Sequence, residues 1–490
     1  MNKFLTFDVG TTAMKCILFN EEFTELFYAN KEYSINAQPG GIAELDANVY
    51  FDTFCECIKD MLSSGIASEE ITSITFTTQG ETMIPMGKDG KALCPAMVWL
   101  DTRAEAEAEY IKSKASENDI YKKTGLYGID GALPLAKALW IKNNKPEIYA
   151  NTYKILLLED YLIYRLTGRF VSEKSLQSST GWYDIINETY YSEILEICGL
   201  DESKLPEVLP CGTVVGGIDK AVADKLGLSE NTVIITAAMD QISSAVGIGN
   251  IKEGIFTETT GTALVAGITA EKPVFDTENP VTIYKHYDGK FIYMPYCNTA
   301  GISLKWFRDK LMPYAEEEGK KKKLSAYGYV DAVAGKAPAG SHGVVMLPQL
   351  SQTGAFIGIT LSTETSDMAR SVLEGVAYML REITELIDSK DIKTDKIYSL
   401  GGGSYSPLWC QIKADVCKKK FVAVDYAQTT ALGAAVLASV ATGCYETVEA
   451  AVEACGKTGV EYIPNPENYN VYDNTFKIYK KYLSLVQEVI

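Results

Sequence analysis

Phe4-Leu5-Thr6-Phe7-Asp8-Val9-Gly10-Thr11-Thr12 and the following Met14-Lys15-Cys16-Ile17-Leu18-Phe19 bring an acid, a tight Gly-Thr-Thr and a lysine close together near the start of the chain. Each suits a polyphosphate. Gly10 lets backbone N–H groups approach a ligand, and Thr11 and Thr12 add hydroxyl donors. Asp8, at a strand's end, can hold Mg²⁺ through its water shell, and Lys15 offers a point charge to phosphate oxygens. The β-prone runs on either side predict a hairpin. An ordinary hairpin turn explains the same residues, so this stretch alone leaves both readings open.

Gly254-Ile255-Phe256-Thr257-Glu258-Thr259-Thr260-Gly261-Thr262-Ala263-Leu264-Val265 repeats the design about a domain later. Two such hairpins predict two related domains facing each other across a cleft, each giving one phosphate loop. A third cluster, Leu400-Gly401-Gly402-Gly403-Ser404, follows a strand-like run and precedes a helical pattern. That is where a nucleotide can lie against bare backbone. There is no GxxxxGK[ST] sequence and no HRD or DFG set, which excludes P-loop and protein-kinase chemistry.

Three acids close apolar runs: Asp8, Asp101 and Asp240. Each reads as a ligand group at the rim of a sheet or as the N-cap of the next helix. Asp240 precedes Gln241 and the second hairpin, and a carboxylate there can accept a hydroxyl proton during transfer to an alcohol. Gln79 and Glu81 offer acceptors and donors to a hydroxyl-rich ligand, or form a solvated turn. Trp99 reads either as a platform for a carbon skeleton or as a core residue. Lys137 and Trp140 share a helical face, and the favoured reading is a lysine stem covering a core tryptophan.

The elements that must position these groups alternate between strand and helix, so the class is α/β. Strands are expected at Ile71–Thr78, Val233–Gln241 and Phe291–Pro295, and a strand pair around the Lys88-Asp89-Gly90-Lys91 turn. Helical patterns cover Ala47–Ser63, most of Glu105–Leu166, Ile302–Leu311, Ala369–Ile387 and Phe476–Ile490. The small residues Ala431-Leu432-Gly433-Ala434-Ala435 predict a closely packed helix.

The 490 residues suffice for two or three domains with real cores. A net charge of −18 argues against nucleic acid or an anionic membrane surface as partner. No apolar run reaches the roughly 18 residues of a membrane helix. The chain opens directly into a strand, which predicts neither signal nor transit peptide. The 11 cysteines lie scattered without zinc spacing and read as free thiols of a cytoplasmic protein. With only two histidines, His286 and His342, outside every motif, a general base is expected to be a carboxylate.

In order, Phe7-Asp8-Val9-Gly10-Thr11-Thr12, Gln79-Gly80-Glu81, Trp99-Leu100-Asp101-Thr102-Arg103, Asp240-Gln241, Thr260-Gly261-Thr262 and Gly401-Gly402-Gly403-Ser404 resemble the FGGY carbohydrate kinases. That family's C-terminal signature is met throughout Gly354–Ile359 and Asp367–Glu374. Its first signature is met in part, by Pro134, Lys137, Trp140, Ile141 and Asn144, with departures at Ala132 and Ala138. The resemblance runs from Phe4 to about Thr442. It implies two actin-like (ribonuclease H-like) ATPase domains facing across a nucleotide cleft. Residues 1–248 would carry the sugar site and first hairpin, and 249–490 the second hairpin, the adenine site and a C-terminal helix.

The resemblance further implies ATP and Mg²⁺, with Asp240 as general base and Asp8 as a metal-water ligand. Thr11, Thr12, Gly261 and Thr262 would contact phosphates, while Gly301, Lys305, Gly402, Gly403, Ser404 and Pro407 would surround ADP. Gln79, Gly80, Glu81, Trp99, Asp101 and Gln241 would line the sugar pocket. The partner would be a small sugar or polyol, with a homodimer left open as the assembly state. Glycerol kinases carry Arg between the Gln and Glu and a Tyr five residues before the motif Lys. Here Gly80 and Ala132 stand instead, and the freed volume suggests a four- or five-carbon polyol or ketose such as xylulose over glycerol. Xylulokinases carry Met-His where Gly80-Glu81 stand. Glycerol kinase, an actin-like ATPase acting on a protein partner, and an inactive sugar-binding relative are the competing readings.

Overall fold

The computed structural model describes residues 2–351, 353–424, 428–456 and 459–489. The chain forms two compact units, and both are interleaved in sequence. Met1–Ile251, Glu271–Ile292 and Gln428–Gly456 make the first, and Lys252–Ala270, Tyr293–Ala427 and Lys457–Ile490 the second.

The first unit is built on a six-stranded sheet. Strand Phe4–Val9 pairs antiparallel with Ala13–Phe19, its hairpin mate, in a register that sets Asp8 directly opposite Lys15. Its other edge pairs parallel with Ser73–Thr78, which pairs parallel with Val233–Thr236. Val214–Gly217 closes that side antiparallel. These central strands are buried along almost their whole length, as strands covered on both faces must be.

The second unit repeats the order. Ile255–Thr260 pairs antiparallel with Leu264–Ala270 and parallel with Lys396–Leu400. The latter pairs parallel with Lys420–Val424, and Gly459–Tyr462 closes antiparallel. The duplication suggested by two similar hairpins is therefore written in the pairing of five strands in each unit.

Helix Ala47–Ser63 covers the first sheet. Asp46 caps it by accepting the Asn48 N–H at 2.9 Å. Tyr50, Phe54, Cys57, Ile58 and Met61 recur at helical spacing and are buried. Phe54 meets Phe7 at a ring-centroid distance of 4.8 Å. Burying each such side chain contributes roughly 1.5–3 kcal/mol.

Helix Asp240–Gly247 lies unusually close to helix Thr429–Ala441, as the small residues predict. A Cβ on Gly433 would stand 1.8 Å from the Ser243 carbonyl oxygen, and one on Gly247 2.0 Å from that of Thr429. No residue but glycine fits either place.

The Lys88–Lys91 turn forms, with Gly87 N–H on the Lys91 carbonyl at 2.8 Å, and it joins a short antiparallel pair: Met83–Met86 meets Ala96–Met97 at Met83 and Met97, with a further bridge between Met86 and Ala92. Met83–Met86 also pairs with Lys154–Leu157. One expectation is corrected: that strand interrupts the helical run expected up to Leu166. Its Ile-Leu-Leu continues straight into helix Leu158–Thr167, so apolar spacing alone cannot divide the two. Helix Thr365–Asp388 contains the predicted amphipathic stripe. The C-terminal helix runs Tyr469–Val489, and Ile490, its expected end, lies outside the described residues.

Candidate active site

In the first unit, the ends of several strands bring the predicted acceptor residues together. Trp99 donates its indole N–H to Thr11 Oγ1 at 2.9 Å. Thr11 donates in turn to Gln79 Oε1 at 2.9 Å, and Gln79 Nε2 reaches the Tyr50 hydroxyl at 3.4 Å. The tryptophan is 40% exposed, so it does not fill the core. Asp101 is fully buried. Its carboxylate takes the Ala43 N–H at 2.8 Å and the Arg103 guanidinium. Arg103 also pairs with Glu44 at 2.7 Å.

Asp240 is the first residue of its helix, one place beyond the N-cap Met239. Its Oδ1 accepts the Gln241 N–H at 2.6 Å, and Gln241 itself is exposed. Desolvation first, and then the Asp8 carboxylate, push its pKa up to about 7. The strand-to-helix connection before it is fixed at each peptide. Ala237 N–H donates to Glu159 Oε1 at 2.8 Å, Thr77 Oγ1 donates to the Ala238 carbonyl at 2.8 Å, and Met239 N–H donates to Ser175 Oγ at 3.0 Å. Glu159 and Ser175 carry no motif in the sequence, and only the fold places them here. Asp8 bonds Lys15 Nζ at 3.0 Å across the hairpin. None of Asp8, Asp101 and Asp240 is a helix N-cap: the helix after Asp101 is capped at Ala104 and that of Asp240 at Met239.

Lys137 corrects the reading of a stem covering Trp140. It is fully buried, and its ammonium donates to the backbone carbonyls of Val98 at 2.8 Å and Glu81 at 3.2 Å. Arg103 takes the place over the Trp140 ring, 5.1 Å from its centroid. Glu81 adopts φ +63°, a left-handed conformation uncommon for a side-chain-bearing residue. Burial raises its pKa, the Lys137 charge opposes this, and Asp130 and Asp240 add to it.

Gly80 does not free volume in the way its lack of a side chain suggests. A Cβ there would meet Met239 Sδ at 2.9 Å and Ser179 Oγ at 3.0 Å. The space is filled by neighbours.

The second unit carries a cavity of about 440 Å³ lined by Thr260, Gly261, Thr262, Gly301, Lys305, Gly402 and Gly403, among others. Gly301 opens helix Gly301–Leu311. It packs so tightly on the hairpin that a Cβ would sit 2.2 Å from the Gly261 carbonyl oxygen. Nothing stands within 4 Å of a Cβ on Gly261 itself, so bare backbone faces the cavity there. Lys305 pairs with Asp309 at 2.7 Å. Ser404 Oγ donates to the Gly401 carbonyl at 2.8 Å, and Pro407 is the first residue of helix Pro407–Cys417. Tyr327, Asp331 and Trp409 also line the cavity and escape sequence reading, because no phosphate-loop pattern marks them.

Comparison with known proteins adds two family models. The N-terminal domain of the FGGY family of carbohydrate kinases matches residues 3–247, and its C-terminal domain matches residues 259–442. The chain is 26% identical to the xylulose kinase of Staphylococcus xylosus, over 96% of this chain and 98% of that one. It is likewise 26% identical to the gluconokinase of Bacillus subtilis, over 93% and 90%. The solved structure of xylulose kinase from Lactobacillus acidophilus superposes with a TM-score of 0.89 at 26% identity, covering 99% of both chains.

Proposed function

The chain belongs to the FGGY family of carbohydrate kinases, ATP-dependent phosphotransferases built on two actin-like α/β domains, and from this we propose that it phosphorylates an uncharged five-carbon sugar or polyol, xylulose foremost. The acceptor hydroxyl oxygen attacks the γ-phosphorus of ATP as the bond to the β–γ bridging oxygen breaks. ADP leaves, and the hydroxyl proton passes to Asp240. A carboxylate with a pKa of about 7 is matched to that exchange near neutral pH.

In this reading Gln79, Gly80, Glu81, Trp99, Asp101 and Gln241 form the acceptor pocket of the N-terminal domain, residues 1–248. Trp99 supplies a stacking face, Gln79 and Gln241 address hydroxyls, and Asp101 holds the wall through Arg103. Gly10, Thr11, Thr12 and Lys15 address the transferred phosphate. Gly261, Thr262, Gly301, Lys305, Gly402, Gly403, Ser404 and Pro407, in the C-terminal domain 249–490, hold ADP. Cytoplasmic location and a homodimer belong to the same reading.

Asp8 suits Mg²⁺ held through water, because this ion keeps most of its shell and takes only one or two carboxylates with substrate phosphates. Among the described residues no three acids, cysteines or histidines converge into a cage, which such an ion does not require. Mg²⁺ would supply charge neutralisation on the phosphates.

One observation carries the choice of an uncharged acceptor: among the described residues, the basic groups beside the pocket side chains, Lys15, Arg103 and Lys137, are already engaged. Arg103 is paired with Asp101 and Glu44 and Lys137 with two carbonyls, while Lys15, paired with Asp8, is taken by the transferred phosphate in this reading. Asp8, Glu81 and Asp240 lie in the same electrostatic neighbourhood. A sugar acid would enter such a field without a cation to meet it. Five carbons rather than three rests on the xylulose kinase relatives.

Coupled ADP release over a panel of xylulose, ribulose, erythritol, pentitols, glycerol and gluconate tests the proposal. A pentulose or polyol is expected to give the highest kcat/KM, and gluconate the lowest. Gluconate as the best substrate would overturn the electrostatic assignment, and glycerol the chain length.

A further inference from the structure

Beneath the cavity of the second unit lies an ion pair that none of the phosphate-loop motifs contains. Lys413, on helix Pro407–Cys417, and Glu258, on strand Ile255–Thr260, both have fully buried side chains. Lys413 Nζ lies 2.7 Å from Glu258 Oε1 and donates to Thr260 Oγ1 at 2.9 Å. Thr260 Oγ1 donates in turn to Glu258 Oε2 at 2.6 Å. Ser399, paired with Glu258 across the parallel strand, donates its hydroxyl to the same carboxylate. The ammonium also lies 5.0 Å from the centroid of the Trp409 ring.

The glycine loop runs directly over this pair. A Cβ on Gly403 would stand 3.1 Å from Lys413 Nζ and 2.7 Å from Thr260 Cβ. A Cβ on Gly401, at φ +74°, would stand 3.1 Å from the Thr260 carbonyl oxygen. So one buried network supports both walls that face the cavity: the hairpin turn beginning at Thr260 and the loop through Gly402 and Gly403. Apolar residues would fill the same volume without the desolvation penalty of two buried charges, and a pair of this kind fixes geometry more than it adds stability.

We propose that Lys413 and Glu258 are positioning residues for the nucleotide's phosphates, holding the hairpin and the glycine loop at the spacing their N–H groups need to converge on one phosphate chain. The proposal rests on the reading of this cavity as the nucleotide site. The pair acts through Thr260 and Gly403, which line the cavity, while neither Lys413 nor Glu258 does. Its removal should therefore weaken phosphate-bearing ligands and spare the nucleoside.

Isothermal titration of the full chain with Mg²⁺–ADP and with adenosine tests this. The double variant Lys413→Met/Glu258→Gln removes both charges together, leaves neither unpaired, and keeps an amide to meet Thr260 and Ser399. It is expected to melt near the wild type, bind ADP about tenfold more weakly, and hold adenosine within about twofold. Ser399→Ala, at a residue that does not line the cavity, is the milder variant if the double one does not fold. It is expected to weaken ADP by about threefold with adenosine unchanged. A folded double variant, or failing that Ser399→Ala, that binds ADP as the wild type does would overturn the proposal. Equal losses for ADP and adenosine would overturn it as well. A wild type that binds no ADP would overturn the nucleotide reading, and this proposal with it.

Discussion

Lys137 and Glu81 are joined through the main chain: the buried ammonium donates to the Glu81 carbonyl at 3.2 Å. The same ammonium holds the Val98 carbonyl at 2.8 Å, one residue before Trp99. Two loops that carry residues of the proposed acceptor site thus share a single cation. Desolvation pulls its pKa down, and the Glu81 charge works against that.

Replacing the ammonium should loosen both loops at once. Lys137→Met is expected to raise the sugar KM by about tenfold and to lower stability by about 3 kcal/mol, since two buried carbonyls lose their donor and the Glu81 carboxylate loses a nearby opposite charge. Steady-state kinetics and urea unfolding measure the two effects separately. A wild-type KM alongside lowered stability would reduce Lys137 to a packing role.

Gly80 offers a sharper test, because its neighbours are named. A methyl group there meets Met239 Sδ and Ser179 Oγ, and Met239 immediately precedes Asp240. Gly80→Ala should lower kcat by about ten- to a hundredfold through a small displacement of Asp240, the proposed base. Met239→Ala in the same background should recover part of that loss. A Gly80→Ala enzyme with unchanged kcat would show that the connection gives way freely.

Much of this was legible in the sequence, and the remainder had physical reasons to be hidden. The hairpins at Asp8–Lys15 and Thr260–Leu264 announce themselves because turn chemistry and strand alternation are local. Asp101 and Asp240 do not close strands as expected: Ala96–Met97 and Val233–Thr236 each end with three residues still to come before the acid, because an apolar run does not mark where pairing stops. Lys137 was misassigned because helical spacing shows only that it shares a face with Trp140, and not which partner it reaches. The supports of Asp240, namely Glu159, Thr77 and Ser175, come from distant segments that no periodicity links. The space beside Gly80 was misjudged on the same ground: what fills it is a methionine far along the chain.

The raised carboxylates predict a particular pH dependence of stability. Burial lifts Asp160 and Asp240 each to about 7, against an unfolded value of about 4. The folded state therefore binds these protons more tightly. The stability they contribute is fully present below about pH 4 and is lost as pH rises through about 7. The melting temperature of the ligand-free protein should fall between about pH 5 and 8, and Asp160→Asn should flatten that slope. A wild-type melting temperature that rises across the window, or an unaltered slope in Asp160→Asn, would contradict the assignment.

Catalysis should run in the opposite direction over the same window. A base accepts a proton only when it is ionised, so kcat/KM should fall as pH drops through about 7. A limb near pH 4 instead would mean that Asp240 is solvated in the working enzyme. The pH–rate profile under saturating ATP reads this directly.

The most direct measurement is turnover of Asp240→Asn with the best sugar or polyol from the panel. The substitution keeps the size of the side chain and its acceptor for the Gln241 N–H, and it removes only the capacity to take a proton. The folded variant is expected to lose about 10²- to 10⁴-fold in kcat while ADP binds as before. A purified, folded Asp240→Asn enzyme working within about threefold of the wild-type rate would contradict Asp240 as the base.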